Sequence, residues 1–172
     1  MDLGQQLIET WAIHDRIHHY LLDAVDPAAL GAVSASKGRT VGEQFAHIHN
    51  VRRMWLAAAA ADLAAKVEKL EKPEKPEKLE KGAGDGAGGA GFDKEGLHAA
   101  LSTSAAAVAE LLARSLAGDG RIKGFKPHVT AFVGYLVSHE SHHRGQILLT
   151  LKQAGHAVDK KTAFGIWEWG VR

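Results

Sequence analysis

The chain contains no cysteine, an absence that removes disulfides, thiolate metal ligands and a protein-borne thiol nucleophile together. Imidazole and carboxylate are left to do any metal binding. A large excess of either sign of charge is missing as well. The 21 Lys and Arg face 20 Asp and Glu, so no global field draws in nucleic acid or an anionic membrane. No apolar run approaches the roughly 20 residues that span a bilayer, and Met1-Asp2-Leu3-Gly4-Gln5 lacks the basic and apolar regions of a signal peptide. Cytoplasmic residence, with neither nucleic acid nor membrane as partner, is the expectation. What is present is apolar bulk: 45% of 172 residues are hydrophobic, enough for one domain, 1–172, with a real core.

Hydrophobic spacing divides the chain into four helical segments. From Leu3 to Val25, Leu3, Leu7, Trp11, Leu21, Leu22 and Val25 fall on one stripe opposite Glu9, Arg16 and Asp23. Thr40-Val41-Gly42-Glu43 has the form of a capping box and opens a second helix through Phe45, Ile48, Trp55 and the alanine-rich 57–65, fraying near Leu70. A repeating Pro-Glu-Lys unit and a glycine-rich stretch follow, so 71–91 reads as a flexible connector inside the domain. Asp93 caps a third helix carried by Leu97, Leu101, Val108, Leu111 and Leu112, which stops near Gly118. Pro127 suits the first turn of a fourth, carried by Val129, Phe132, Val133, Leu136, Ile147 and Leu151 and ending near Gly155. Four long amphipathic helices and no alternating segment predict an all-α four-helix bundle. The aromatic C-terminal piece, 163–170, is expected to pack against it.

The fourth helix contains His139-Glu140-Ser141-His142-His143. At about 1.5 Å rise and 3.6 residues per turn, His139 and His143 lie one turn apart on one face and can reach a common point. The helical wheel puts His143 inside the apolar stripe, His139 on its shoulder and His142 outside, with Gln146 one turn further along the same face. Glu140 lies nearer the middle of the stripe, at pairing distance from Arg144. A catalytic zinc usually takes three protein ligands and leaves a position for water or substrate, so a third ligand must come from elsewhere. His47 and His49 on the second helix each have an apolar neighbour one turn away, and periodicity does not choose between them. His14 and His18, in the middle of the first stripe, form another four-residue pair and a second possible centre. His19, His98, His128 and His156 fall on flanks or loops, where surface placement is expected. The same five residues also match H-E-x-x-H, in which the glutamate activates water for peptide hydrolysis. The extended metzincin form requires glycine and histidine where this chain has Gln146 and Leu149, and no strands are read that would cradle a peptide.

Thr40-Val41-Gly42-Glu43-Gln44-Phe45-Ala46-His47-Ile48 together with His139-Glu140-Ser141-His142-His143-Arg144-Gly145-Gln146-Ile147 resembles the DinB/YfiT-like superfamily, over essentially the whole bundle. The resemblance implies that His47, His139 and His143 bind a divalent metal ion, with zinc or nickel foremost, and so chooses His47 over His49. It implies a four-helix bundle, commonly a homodimer, acting on a small-molecule substrate. Some members transfer groups to low-molecular-weight thiols, and others are isomerases or hydrolases. Activation of a thiol or water nucleophile is the shared chemistry, with His14, His18, Glu140 and Gln146 backing the ligands or touching substrate. No catalytic group beyond the ligands is assigned. The alternative is a non-catalytic helical scaffold stabilised by its metal. The 71–91 insert departs from the compact family pattern at the rim of the pocket.

Overall fold

Reciprocal caps start the first two long helices. The Asp2 carboxylate accepts from the Gln5 amide at 2.9 Å while the Gln5 side chain accepts from the Asp2 amide, and α1 runs Leu3–Ala24. The expected capping box opens α2, Val41–Ala59: the Thr40 hydroxyl accepts from the Glu43 amide and the Glu43 carboxylate from the Thr40 amide. Each pair satisfies two of the free amide donors that a helix start exposes. The computed structural model describes residues 2–72 and 91–172. After the one-turn α3, Ala61–Ala64, come α4, Lys94–Ala117, a small hairpin of β1, Arg121–Ile122, and β2, Phe125–His128, then α5, Val129–Gln153, and the short α6, Lys160–Gly165. The long helices α1, α2, α4 and α5 make the all-α bundle.

The core has two apolar halves separated by a polar layer. One half holds Trp11, Leu56, Val108, Leu112, Phe132 and Leu136, and the other holds Leu21, Leu22, Phe45, Ile48, Leu101 and Ile147. Between them lie buried His14 and His18 on α1, Arg52 on α2, Ser104 on α4, and Glu140, His143 and Arg144 on α5. Each fully buried Leu, Ile or Phe contributes about 1.5–3 kcal/mol, which sustains the two ends and makes a polar waist tolerable.

The same division fixes direction. Each half draws on the C-terminal parts of α1 and α5 where it draws on the N-terminal parts of α2 and α4, and the reverse. Thus α1 and α5 run one way and α2 and α4 the other. The chain leaving α2 must therefore travel back along the bundle, about 28 Å at about 1.5 Å per residue for 19 residues, before α4 can start. This corrects the reading of the second helix as continuous to about 65. Ala60 adopts φ −152°, ψ 84° and ends α2. The returning strand is then caught by α2 side chains: Arg53 donates to the Val67 carbonyl, and Asn50 bonds both the amide and carbonyl of Leu70. Of the connector expected at 71–91, residues 73–90 lie outside the described residues.

Three further readings are corrected. The hairpin, with Gly120 and Gly124 at positive φ, was not expected; it takes Pro127 into β2, so α5 starts at Val129 with the His128 ring as its cap. Helix α4 is, by length and composition, apolar enough to cross a membrane, but its Leu97, Leu101, Val108 and Leu112 are buried in the bundle. The C-terminal piece only partly packs: Gly165 and Ile166 are buried, while Phe164 and Trp167 are 70% and 75% exposed.

Candidate metal centre

Helices α2 and α5 pack side by side, and the rings of His47, His139 and His143 meet across their contact. The Nε2 atoms of His139 and His143 are 3.2 Å apart, and the His47 ring centroid lies 4.6 Å from that of His143 and 5.5 Å from that of His139. One ring nitrogen from each lies within 4.8 Å of the other two. With zinc–imidazole bonds of about 2.0–2.1 Å, nitrogens so gathered can share one ion. His143 is buried, and His47 and His139 are half-buried, which leaves one side of the group accessible.

Neighbours set the state of these rings. The Nδ1–H of His143 donates to Gln146 Oε1 at 2.9 Å, with Gln44 Oε1 at 3.3 Å. That tautomer leaves the Nε2 lone pair turned toward His139, as a ligand requires. His139 stacks on Tyr135 at a centroid distance of 6.1 Å, and its buried Nδ1 has no hydrogen-bond partner among the described residues. Burial and the charges of His47 and His139 push His143 down to about 4. His47 is lowered by burial, then by Arg39 and His139; His139 is lowered by burial, against the opposing charge of Glu140. Neutral imidazole, the ligating form, is therefore favoured at all three.

His49 is excluded by its own bonds, because Nδ1 faces the Ala100 carbonyl at 2.8 Å and Nε2 the Glu68 carbonyl at 2.7 Å. His142 is exposed, as the wheel predicted.

Behind the triad lies the polar waist. By distance, His14, His18 and Glu140 also bring one ligand atom each within 4.8 Å of one another, a second group that could hold an ion. Its lone pairs, however, already face guanidinium groups. Arg52 binds Glu140 with both Nε and Nη2, at 2.8 and 2.7 Å, and reaches Asp15 at 2.8 Å. Arg144 donates to His14 Nδ1 and His18 Nε2, each at 3.2 Å, and to Ser141. His14 Nε2 donates to Glu140 at 2.9 Å and His18 Nδ1 to the His14 carbonyl at 3.0 Å. Two fixed cations where a metal would sit make this an ion-pair network in character. Burial works to raise the Glu140 carboxyl, but Arg52 and His14 outweigh it and hold the group well below its usual range. Burial holds both His14 and His18 below the usual range, against the opposing charge of Glu140.

The network corrects two sequence readings. Glu140 pairs with Arg52 of α2 in place of Arg144 one turn away, and the glutamate of the H-E-x-x-H reading is turned into the core, fully buried. Fixed between Arg52 and His14, it is not placed to take a proton from water beside His139 and His143, and the protease reading ends there. Gln146 accepts the hydrogen bond of His143 Nδ1. Arg52, Asp15, Gln44 and Arg39 were missed. Arg52 had a signal, since it continues the stripe of Phe45, Ile48 and Leu56, where an arginine demands a buried acid. Gln44 also had one, standing one turn before His47 and Ile48. Arg39 lies on a turn, where periodicity carries no information.

The model of the DinB family matches residues 1–167. No curated protein and no solved structure matches the chain.

Proposed function

The chain belongs to the DinB family, and on that premise we propose that His47, His139 and His143 hold one divalent ion, zinc or nickel, at the centre of a metal-dependent enzyme. The observation that carries this is the convergence of three imidazole rings from two helices with one side accessible. Such an ion supplies positive charge that eases loss of a proton from a nearby thiol or water and polarises a carbonyl or leaving group. The protein supplies the rest. Gln146 and Gln44 hold the His143 ring in one orientation, and the waist network fixes α5 against α1 and α2. Half-exposed His47 and His139 leave room for a guest. Because the chain has no cysteine, a thiol nucleophile must come from a low-molecular-weight cosubstrate. The reaction class is thiol S-transfer or hydrolysis, and the functional unit is a homodimer.

A scaffold role is the second reading, favoured by the fact that the ligands tie α2 to α5. Elemental analysis of protein purified without an affinity tag tests the shared premise, with one ion per chain expected and loss of most of it in His143→Ala. Full occupancy in that variant removes His143 from the site. A screen of small thiols with electrophiles then separates the readings: turnover that stops on chelation supports the enzyme, and stoichiometric metal with a lowered melting temperature on chelation but no turnover supports the scaffold.

A further inference from the structure

Beside the triad, a cavity of about 270 Å3 opens between the turn at 34–39 and one face of α5. Its inner wall includes Gln44 and Gln146, the same amides that contact His143 Nδ1, so the cavity and the triad share a wall. Its outer wall carries Lys37 and Arg39, and no carboxylate lines it.

The turn that bears these cations is built. The Lys37 amide donates to the Ser34 carbonyl at 2.9 Å, and the Ser34 hydroxyl donates to the Lys37 carbonyl at 2.9 Å. Lys37 and Gly38 both take positive φ, 65° and 112°. A bridge between Val33 and Thr40 closes its base, and the Ala35 amide donates to Gln153 of α5 at 3.1 Å. Among the described residues neither Lys37 nor Arg39 forms an ion pair. The nearby Glu43 is taken up by Lys72 and by its capping bond to Thr40.

We infer that this cavity is the subsite for the anionic end, a carboxylate or phosphate, of the small molecule handled at the triad, with Arg39 its principal binding residue and Lys37 its second. The inference rests on the triad reading, since the triad supplies the reacting end. A guanidinium binds either anion with two parallel hydrogen bonds, and a lysine adds a point charge. Amide and hydroxyl groups from Gln44, Gln146, Gln153 and Thr150 complete a polar lining with only Leu149 as large apolar surface, which suits a headgroup and not a hydrocarbon tail. An anion there also relieves the repulsion between Arg39 and a cation at the triad, so ion and ligand favour each other's binding.

Calorimetric titration with succinate and with inorganic phosphate, into zinc-loaded and into metal-free protein, tests this, with succinamide as the uncharged control. Binding of either anion is expected, weakened about tenfold or more in Arg39→Gln, the equivalent of about 1.4 kcal/mol, and partly restored in Arg39→Lys. Which of the two binds tells carboxylate from phosphate. Zinc occupancy and melting temperature are expected to stay at the wild-type level in both variants, because Arg39 is exposed and outside the triad. Equal affinity in Arg39→Gln, equal binding of succinamide, or no binding of either anion overturns the subsite. A wild-type chain that binds neither zinc nor nickel overturns the triad reading instead, and Arg39-dependent anion binding by the metal-free protein would then survive it.

Discussion

A single arginine shows how a buried charge is made tolerable here. Arg52 is fully buried, its guanidinium bonded to Glu140, to Asp15 and to the Leu101 carbonyl, with Trp11 over it at 4.8 Å. Removing it leaves Glu140 as an uncompensated buried anion, so Arg52→Ala is expected to cost about 3–5 kcal/mol by chemical denaturation. The double change Arg52→Met with Glu140→Leu is expected to cost clearly less than the sum of Arg52→Met and Glu140→Leu made singly, because both charges of the pair then leave together and only the partly exposed Asp15 loses a partner. Additive losses would mean that the pair is not coupled. At this scale the sequence was partly legible. The spacing of His139 and His143, and the outward turn of His142, followed from one helix's geometry. The choice between His47 and His49 did not, because both flank the apolar stripe of α2; it came from the family resemblance, and the structure adds the reason that two backbone carbonyls occupy His49.

Among the elements, the C-terminal piece is held by a small number of contacts around Tyr20. The Arg172 guanidinium lies 3.7 Å from the Tyr20 ring centroid and donates to the Gly165 carbonyl at 3.1 Å, while Arg16 donates to the Arg172 carbonyl. Gly165 is at closest approach: a methyl group there would stand 2.7 Å from Tyr20 Cε1 and Cζ. Gly165→Ala is therefore expected to push α6 off α1 and cost about 1–3 kcal/mol, with faster proteolysis after Lys160 or Lys161 as the readout. An unchanged cleavage rate would show that Tyr20 yields without cost. Aromatic content alone suggested that this piece packs. That Phe164 and Trp167 face outward was not readable, because α6 is only six residues long and Trp167 lies in the turn beyond it.

For the whole molecule, acid stability follows from the polar waist. His14 and His18 each donate with one ring nitrogen and accept from Arg144 with the other, so both are held neutral, and burial is the chief cause of their lowered values. In the unfolded chain each takes up a proton near its ordinary value of 6.5. The unfolded state thus binds more protons below that pH, and the stability present above it is lost as pH falls toward the folded values. Each histidine that stays neutral contributes a slope of about 1.4 kcal/mol per pH unit. The denaturation midpoint is expected to fall steadily as pH drops through the interval below about 6.5, with the lowered His47, His49, His139 and His143 adding to the same loss, ahead of any loss from Asp15, whose lowered carboxyl titrates only in stronger acid. A flat profile across that interval would mean that these rings are protonated in the fold.

The amino-acid order by itself determined what is local: which segments coil, where Thr40 and Asp93 cap them, which stripe of each is apolar, and that two imidazoles stand one turn apart on α5. Tertiary structure alone decided that Arg52 takes Glu140 from Arg144, that the chain doubles back after Ala64, and that Arg39 comes to stand beside the triad. The reason is geometric. The pitch of a helix fixes angles around one axis, whereas the rotation and axial offset of one helix against another emerge from how all their side chains pack together.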